Sequence, residues 1–137
     1  AEYCAGKNVV IVGIPGAFTP VCMGTHIPAY FDNQEALKET GVEEVIVFSV
    51  NDASVMGAFA KEMKTEGTMI KFLADPHTEF TRALCMELTH PIGKQLGFLD
   101  RSKRFAIHAI DGEIKFYNVS YTEDDPVGAE DLSSYVE

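Results

Sequence analysis

Two unbroken apolar runs constrain this chain more than any other feature. They are Val9-Val10-Ile11-Val12 and Val45-Ile46-Val47-Phe48, the second continuing to Val50. Each is short, rich in β-branched side chains and free of polar alternation. A run of that kind reads as a strand covered on both faces. Covering both faces of a sheet takes helices, and the segments between the strands have the spacing to supply them.

The remaining elements follow in order. The first strand spans Lys7 to Ile14. Met23 to Phe31 reads as a helix with Ile27, Tyr30 and Phe31 on one stripe. Pro28 inside it predicts a kink or an early break. Gln34 to Glu39 is a second short helix closed by Gly41. After the strand Val45 to Val50, Asp52 is placed to cap a helix over Ala53 to Lys64, whose apolar face is Val55, Met56, Phe59, Ala60 and Met63. Ile70 to Ala74 is a third strand, Asp75-Pro76-His77 a turn, and Thr78 to Met86 a helix with Phe80 and Leu84 inward. The stretch 90–103 is mixed and runs into the basic residues Arg101, Lys103 and Arg104. Phe105 to Ile110 is a fourth strand. Asp111-Gly112 is a type I′ hairpin signal, which makes Glu113 to Val119 an antiparallel fifth strand. An acidic loop over 122–126 precedes a closing helix, Ala129 to Val136, with Leu132 and Val136 inward. The order is that of an α/β protein with a central mixed sheet flanked by helices, in one domain over residues 1–137.

Composition narrows the function. Lysine and arginine total 11 and aspartate and glutamate 21, a formal charge of −10. That balance argues against nucleic acid and against anionic membrane surfaces as partners. No apolar run is long enough to span a bilayer. Ala1-Glu2-Tyr3-Cys4 carries no basic region of a signal peptide. The three cysteines, Cys4, Cys22 and Cys85, are odd in number and form neither a secreted disulfide framework nor a Cys-x-x-Cys pair. The histidines His26, His77, His90 and His108 show no metal spacing with them, so no metal site is expected.

The chemistry concentrates in Gly13-Ile14-Pro15-Gly16-Ala17-Phe18-Thr19-Pro20-Val21-Cys22. Here a strand ends in a Pro- and Gly-fixed loop, and a cysteine enters the first turn of a helix. Unpaired N–H groups at a helix start favour thiolate over thiol and lower a cysteine's pKa. The plain alternative is a small buried hydrophobe. His26 lies four residues on, on the same helical face, and reads as a packing residue; a cysteine hydrolase built on Cys22 and His26 would need a third group to orient the imidazole.

The segment Pro-Gly-Ala-Phe-Thr-Pro-Val-Cys resembles the active-site loop of the peroxiredoxins, in the type II, or peroxiredoxin-5, branch. Val50-Asn51-Asp52, Lys71-Phe72-Leu73-Ala74-Asp75, Phe80-Thr81 and Lys103-Arg104-Phe105 resemble that branch in its order. The resemblance implies a thioredoxin-like fold and a thiol peroxidase that reduces hydrogen peroxide and alkyl hydroperoxides. It implies Cys22 as the peroxidatic nucleophile, passing through a sulfenic acid. The backbone N–H groups of Val21 and Cys22 would bind a peroxide oxygen. Thr19 would offer its hydroxyl to sulfur and peroxide, Pro15 would cover the thiolate, and Arg104 would be the catalytic cation. Arg101 reads as a surface charge. The family usually carries further N-terminal strands, so the resemblance also implies that this chain is shortened at its start.

The resolving thiol departs from the family. Nothing after Cys85 is a cysteine, and Val47 stands where a plant-like subgroup has one. Cys85 and Cys4 are weak candidates for the role. The expectation is a one-cysteine cycle with no bound cofactor, regenerated by glutathione with glutaredoxin or by thioredoxin. Met23 replaces the Ser or Thr common after the cysteine. A homodimer with its interface near the Phe18 loop is implied. So is an intracellular, cytoplasmic location, or an organellar one if a targeting segment preceded Ala1. The competing function is a peroxide sensor that oxidises Cys22 and signals without turnover.

Overall fold

The computed structural model describes residues 2–18, 27–88, 97 and 100–119. Among these residues five strands form one mixed sheet: β1 Asn8–Gly13, β2 Glu44–Ser49, β3 Ile70–Ala74, β4 Phe105–Ile110 and β5 Glu113–Val119. Their order is β3-β2-β1-β4-β5. β1, β2 and β3 run parallel. β4 pairs antiparallel with β1, and β5 with β4. The sheet is the mixed one that the apolar runs and the hairpin signal predict.

β1 lies at its centre and is covered on both faces. Val10 and Val12 join Ile14, Ile27, Tyr30, Leu37 and Phe59 in one core cluster. Val9 and Ile11 join Ile46, Phe48, Phe105 and Ile107 in the other. Period-two alternation splits one continuous apolar run between two cores, and each fully buried side chain contributes about 1.5–3 kcal/mol. At the end of β1, Gly13 leaves room for the Phe105 ring, which a Cβ there would strike.

Among the described residues four α-helices accompany the sheet: α1 Ile27–Asp32, α2 Gln34–Glu39, α3 Ala53–Glu62 and α4 Glu79–Ala83. Asp52 caps α3 as its sequence position predicts, accepting from the Val55 N–H at 2.8 Å. Met56 and Phe59 are buried from that helix. It stops earlier than expected: Met63 closes it and Lys64 takes a left-handed φ of 57°. Asp111 and Gly112 sit at φ 53° and 76°, the signs a type I′ turn requires.

Past Pro28, α1 continues to Asp32, and the segment on its N-terminal side lies outside the described residues. One expectation is corrected. The helix expected over Thr78 to Met86 is only Glu79–Ala83, because Thr78 (φ 61°) and Cys85 (φ 56°) are left-handed at its two ends. Phe80 is accordingly 37% exposed rather than inward, with one ring edge against Phe48 at 4.7 Å. Thr81 is the buried residue of α4. Leu84 is partly buried against the second cluster. The expected start of the first helix at Met23, the acidic loop over 122–126 and the closing helix Ala129 to Val136 lie outside the described residues. Among those residues, no helix is long and apolar enough to cross a membrane.

Candidate active site

Three parallel strands deliver their carboxyl ends to one edge of the sheet, where ligand sites of open α/β sheets form. β1 leads into residues 14–18, β2 into Val50, Asn51 and Asp52, and β3 into Asp75, Pro76 and His77. β4 runs the other way. Its first residue, Phe105, pairs with Gly13. Arg104, one residue earlier, therefore arrives beside the same loop. It is 3% exposed.

The approach to Arg104 is anchored. The Leu88 N–H donates to the Arg101 carbonyl at 2.7 Å, and the Lys103 N–H to the Met86 carbonyl at 2.7 Å. Glu87 and Ser102 form an isolated antiparallel bridge between these bonds. Asp75 fixes the neighbouring turn. Its carboxylate accepts from the N–H groups of Phe80 (3.2 Å) and Thr81 (2.9 Å) and from the Thr81 hydroxyl at 2.7 Å.

The loop after β1 is held by the side chains of Asn51 and Arg101. Asn51 Oδ1 accepts from the Ala17 N–H at 3.0 Å, the Ser49 hydroxyl at 2.6 Å and Arg101 Nη1 at 3.4 Å. Arg101 Nη1 also donates to the Pro15 carbonyl at 3.3 Å. Pro15 is buried. Phe18 takes φ 64° and lays its ring on Phe59 of α3, 4.9 Å between centroids.

Arg101 is thus corrected from a surface charge to a half-buried brace. Burial pushes its pKa below the ordinary arginine value, yet a guanidinium stays protonated at neutral pH. The sequence reading also gave Asn51 no role. Its signal was its place directly after a central parallel strand, where an amide can satisfy a loop's backbone.

The structure therefore brings Pro15, Asn51, Arg101 and Arg104 to one edge of the sheet. Thr19, Val21, Cys22 and His26 lie outside the described residues. Cys85 is exposed and Cys4 partly exposed, and both are free thiols. Cys4 packs against the second core cluster. Buried His108 meets Asn8 Oδ1 through Nε2 at 2.7 Å. Among the described residues, no group of three or more His, Cys, Asp or Glu is placed to hold a metal ion.

Beside the braced loop opens a cleft of about 560 Å³, lined by Val50, Asn51, Asp52, Pro76, His77, Thr78, Arg82, Asp100 and Arg101. Arg82 and Asp100 pair across it at 3.5 Å.

Comparison with known proteins places this geometry. The family profile described as Redoxin matches residues 1–135. Peroxiredoxin-2B of Arabidopsis thaliana is 44% identical over 115 residues, 84% of this chain and 68% of its own length. Peroxiredoxin-2D of the same plant is 45% identical over 103 residues, 75% of this chain and 61% of its own length. The chain thus spans about two thirds of these relatives. The crystal structure of reduced Prx3 from Vibrio vulnificus superposes with a TM-score of 0.88 at 36% identity, covering 98% of this chain and 84% of that one.

Proposed function

Since the chain belongs to the Redoxin family as a peroxiredoxin-type thiol peroxidase with a thioredoxin-like fold, we propose that Cys22 is its peroxidatic residue and that Arg104 is the cation serving it. The observation that carries this reading is Arg104 itself. It is a buried arginine, anchored at the start of β4 and paired through its neighbour Phe105 with the end of the strand that leads to Cys22.

The Cys22 thiolate attacks one oxygen of the hydroperoxide. The O–O bond breaks, the other oxygen leaves as water or alcohol after taking a proton, and sulfur becomes sulfenic acid. Charge passes from sulfur to the leaving oxygen, and a fixed guanidinium near both lowers the barrier without reorganising. The Thr19 hydroxyl and the Val21 and Cys22 N–H groups supply further donors, while Pro15 limits access by water. The Asn51 and Arg101 bonds hold Pro15 and Ala17 in place for this.

The cycle is a one-cysteine cycle closed by an external thiol, with no bound cofactor. Glutathione with glutaredoxin is the favoured reductant and thioredoxin the second. The active unit is a homodimer joined near Phe18, whose ring is 46% exposed. The protein works inside the cell, where thiol reductants are maintained.

The test is NADPH-coupled peroxide consumption with glutaredoxin plus glutathione, and then with thioredoxin. Turnover should vanish in Cys22→Ser and persist in Cys85→Ser. Loss in Cys85→Ser would make Cys85 a resolving thiol. A single oxidation without turnover, with either donor, would favour the sensor.

A further inference from the structure

A second cavity, of about 190 Å³, lies over the sheet face that carries the second core cluster. Ile11 pairs in register with Ile46, and Phe48 with Leu73, so these four share one face and form its floor. The 3-10 helix Glu2–Cys4 brings Tyr3 and Cys4 to it, and α4 brings Phe80. The 3-10 helix is pinned in place. The Tyr3 hydroxyl donates to Glu44 Oε2 at 2.9 Å, Lys7 Nζ lies 4.0 Å from the centre of the Tyr3 ring, and the Lys7 N–H donates to the Cys4 carbonyl at 3.1 Å. Tyr3, Leu73 and Phe80 are three of the seven exposed large apolar side chains among the described residues. Scattered singly, such residues need no explanation. Gathered round one cavity, above buried Ile11, Ile46 and Phe48, they mark a place where something apolar binds.

The lining selects the occupant. Its polar groups are engaged: the Asp75 carboxylate takes the N–H groups of Phe80 and Thr81 and the Thr81 hydroxyl, and the Tyr3 hydroxyl serves Glu44. A charged ligand would give up its water there for no partner of its own. The volume selects size. Apolar cavities of about 150 Å³ lined by Leu, Ile and Phe stay dry and take up one benzene, whereas a partner's helix, about 10–12 Å across, does not fit. The rings of Tyr3, Phe48 and Phe80 favour edge-to-face or offset contact with another ring. We propose that this cavity binds a neutral, single-ring aromatic molecule. The site is separate from the peroxidase cycle and needs neither Cys22 nor Arg104.

The probe is toluene, titrated into the isotope-labelled full chain and followed by amide NMR shifts. The shifts should saturate and concentrate at Cys4, Ile46, Leu73 and Phe80, with half-saturation on the order of 0.1–1 mM, the affinity that burying seven carbons supplies. Benzoate and benzylammonium carry the same ring with a charge of either sign, and each should bind here at least about tenfold more weakly. Leu73→Trp fills the cavity from its exposed rim and should abolish the toluene shifts, with a cooperative melt to show that the fold is kept. Cys4→Phe fills the same space from the 3-10 helix and replaces it if Leu73→Trp does not fold. Three results overturn the proposal: no saturation up to the solubility limit of toluene, shifts spread equally over exposed Phe18, Ile114 and Tyr117, or binding undiminished in the filled variant. Benzoate or benzylammonium binding as tightly as toluene overturns the neutral class.

Discussion

The two ends of this sheet are built differently. At the hairpin end the chain turns within Asp111-Gly112, and the closing contacts are with neighbours on the surface. The Asp111 N–H donates to the Lys7 carbonyl at 2.9 Å, and the Gly6 N–H to Asp111 Oδ1 at 2.6 Å. Asp111 and Gly112 are exposed there. At the opposite end polar groups are buried. Ser49, Thr78, Ser102 and Arg104 are all 3% exposed or less. Buried polar groups are costly unless partnered. One end satisfies the backbone economically; the other holds polar groups in place for chemistry.

Four changes test that contrast, from the largest effect to the smallest. Arg104→Gln should lower kcat/KM for peroxide about 100- to 1,000-fold, the scale of losing a preorganised charge donor. A variant within threefold of the parent would remove Arg104 from the mechanism. Asn51→Ala strips the shared acceptor from Ala17, Ser49 and Arg101. Urea unfolding should show a loss of about 1–3 kcal/mol, and iodoacetamide should alkylate Cys22 with a shifted pH profile. If only stability moves, the brace holds the fold and not the thiol. Gly112→Ala forces an alanine to φ 76° and should cost about 1 kcal/mol, with peroxidase activity unchanged; lost activity would couple the hairpin to the site.

The smallest effect concerns pH. Burial lowers the His108 pKa from 6.5. The unfolded chain therefore binds the proton more readily than the folded one. Stability is full above about pH 6.5 and declines as pH falls below it toward the folded value. Among the elements packed on β4, the polar partner that the structure gives His108 is Asn8. Melting temperatures across this window should fall less steeply in His108→Gln than in the parent.

What the sequence shows tracks the same division. The strand ends of β3, β4 and β5, the double burial of β1 and the Asp52 cap are written in runs, alternation and turn residues, all local signals. Pro15 and Arg104 were singled out through the resemblance carried by their neighbours, and the structure buries both at one edge of the sheet. Arg101 was misread, and Asn51 given no role, because the contacts that define them reach far along the chain: Arg101 and Pro15 are 86 residues apart, Asn51 and Ala17 34. Phe80 was misjudged because left-handed Thr78 and Cys85 shorten the helix that would have turned it inward, and nothing in a threonine or a cysteine announces that conformation.

The separation between Pro15 and Arg101 also has a meaning in time. β1 is made well before its antiparallel neighbour β4 and the two arginines that precede it. At about 5–20 residues per second of synthesis, the arginines follow the loop by roughly 4–17 s. Throughout that interval the proposed nucleophile exists without the charge that would make it reactive. On the proposed assignment the thiol stays disarmed until β4 pairs with β1, the long-range step that brings Arg104 to the end of that strand.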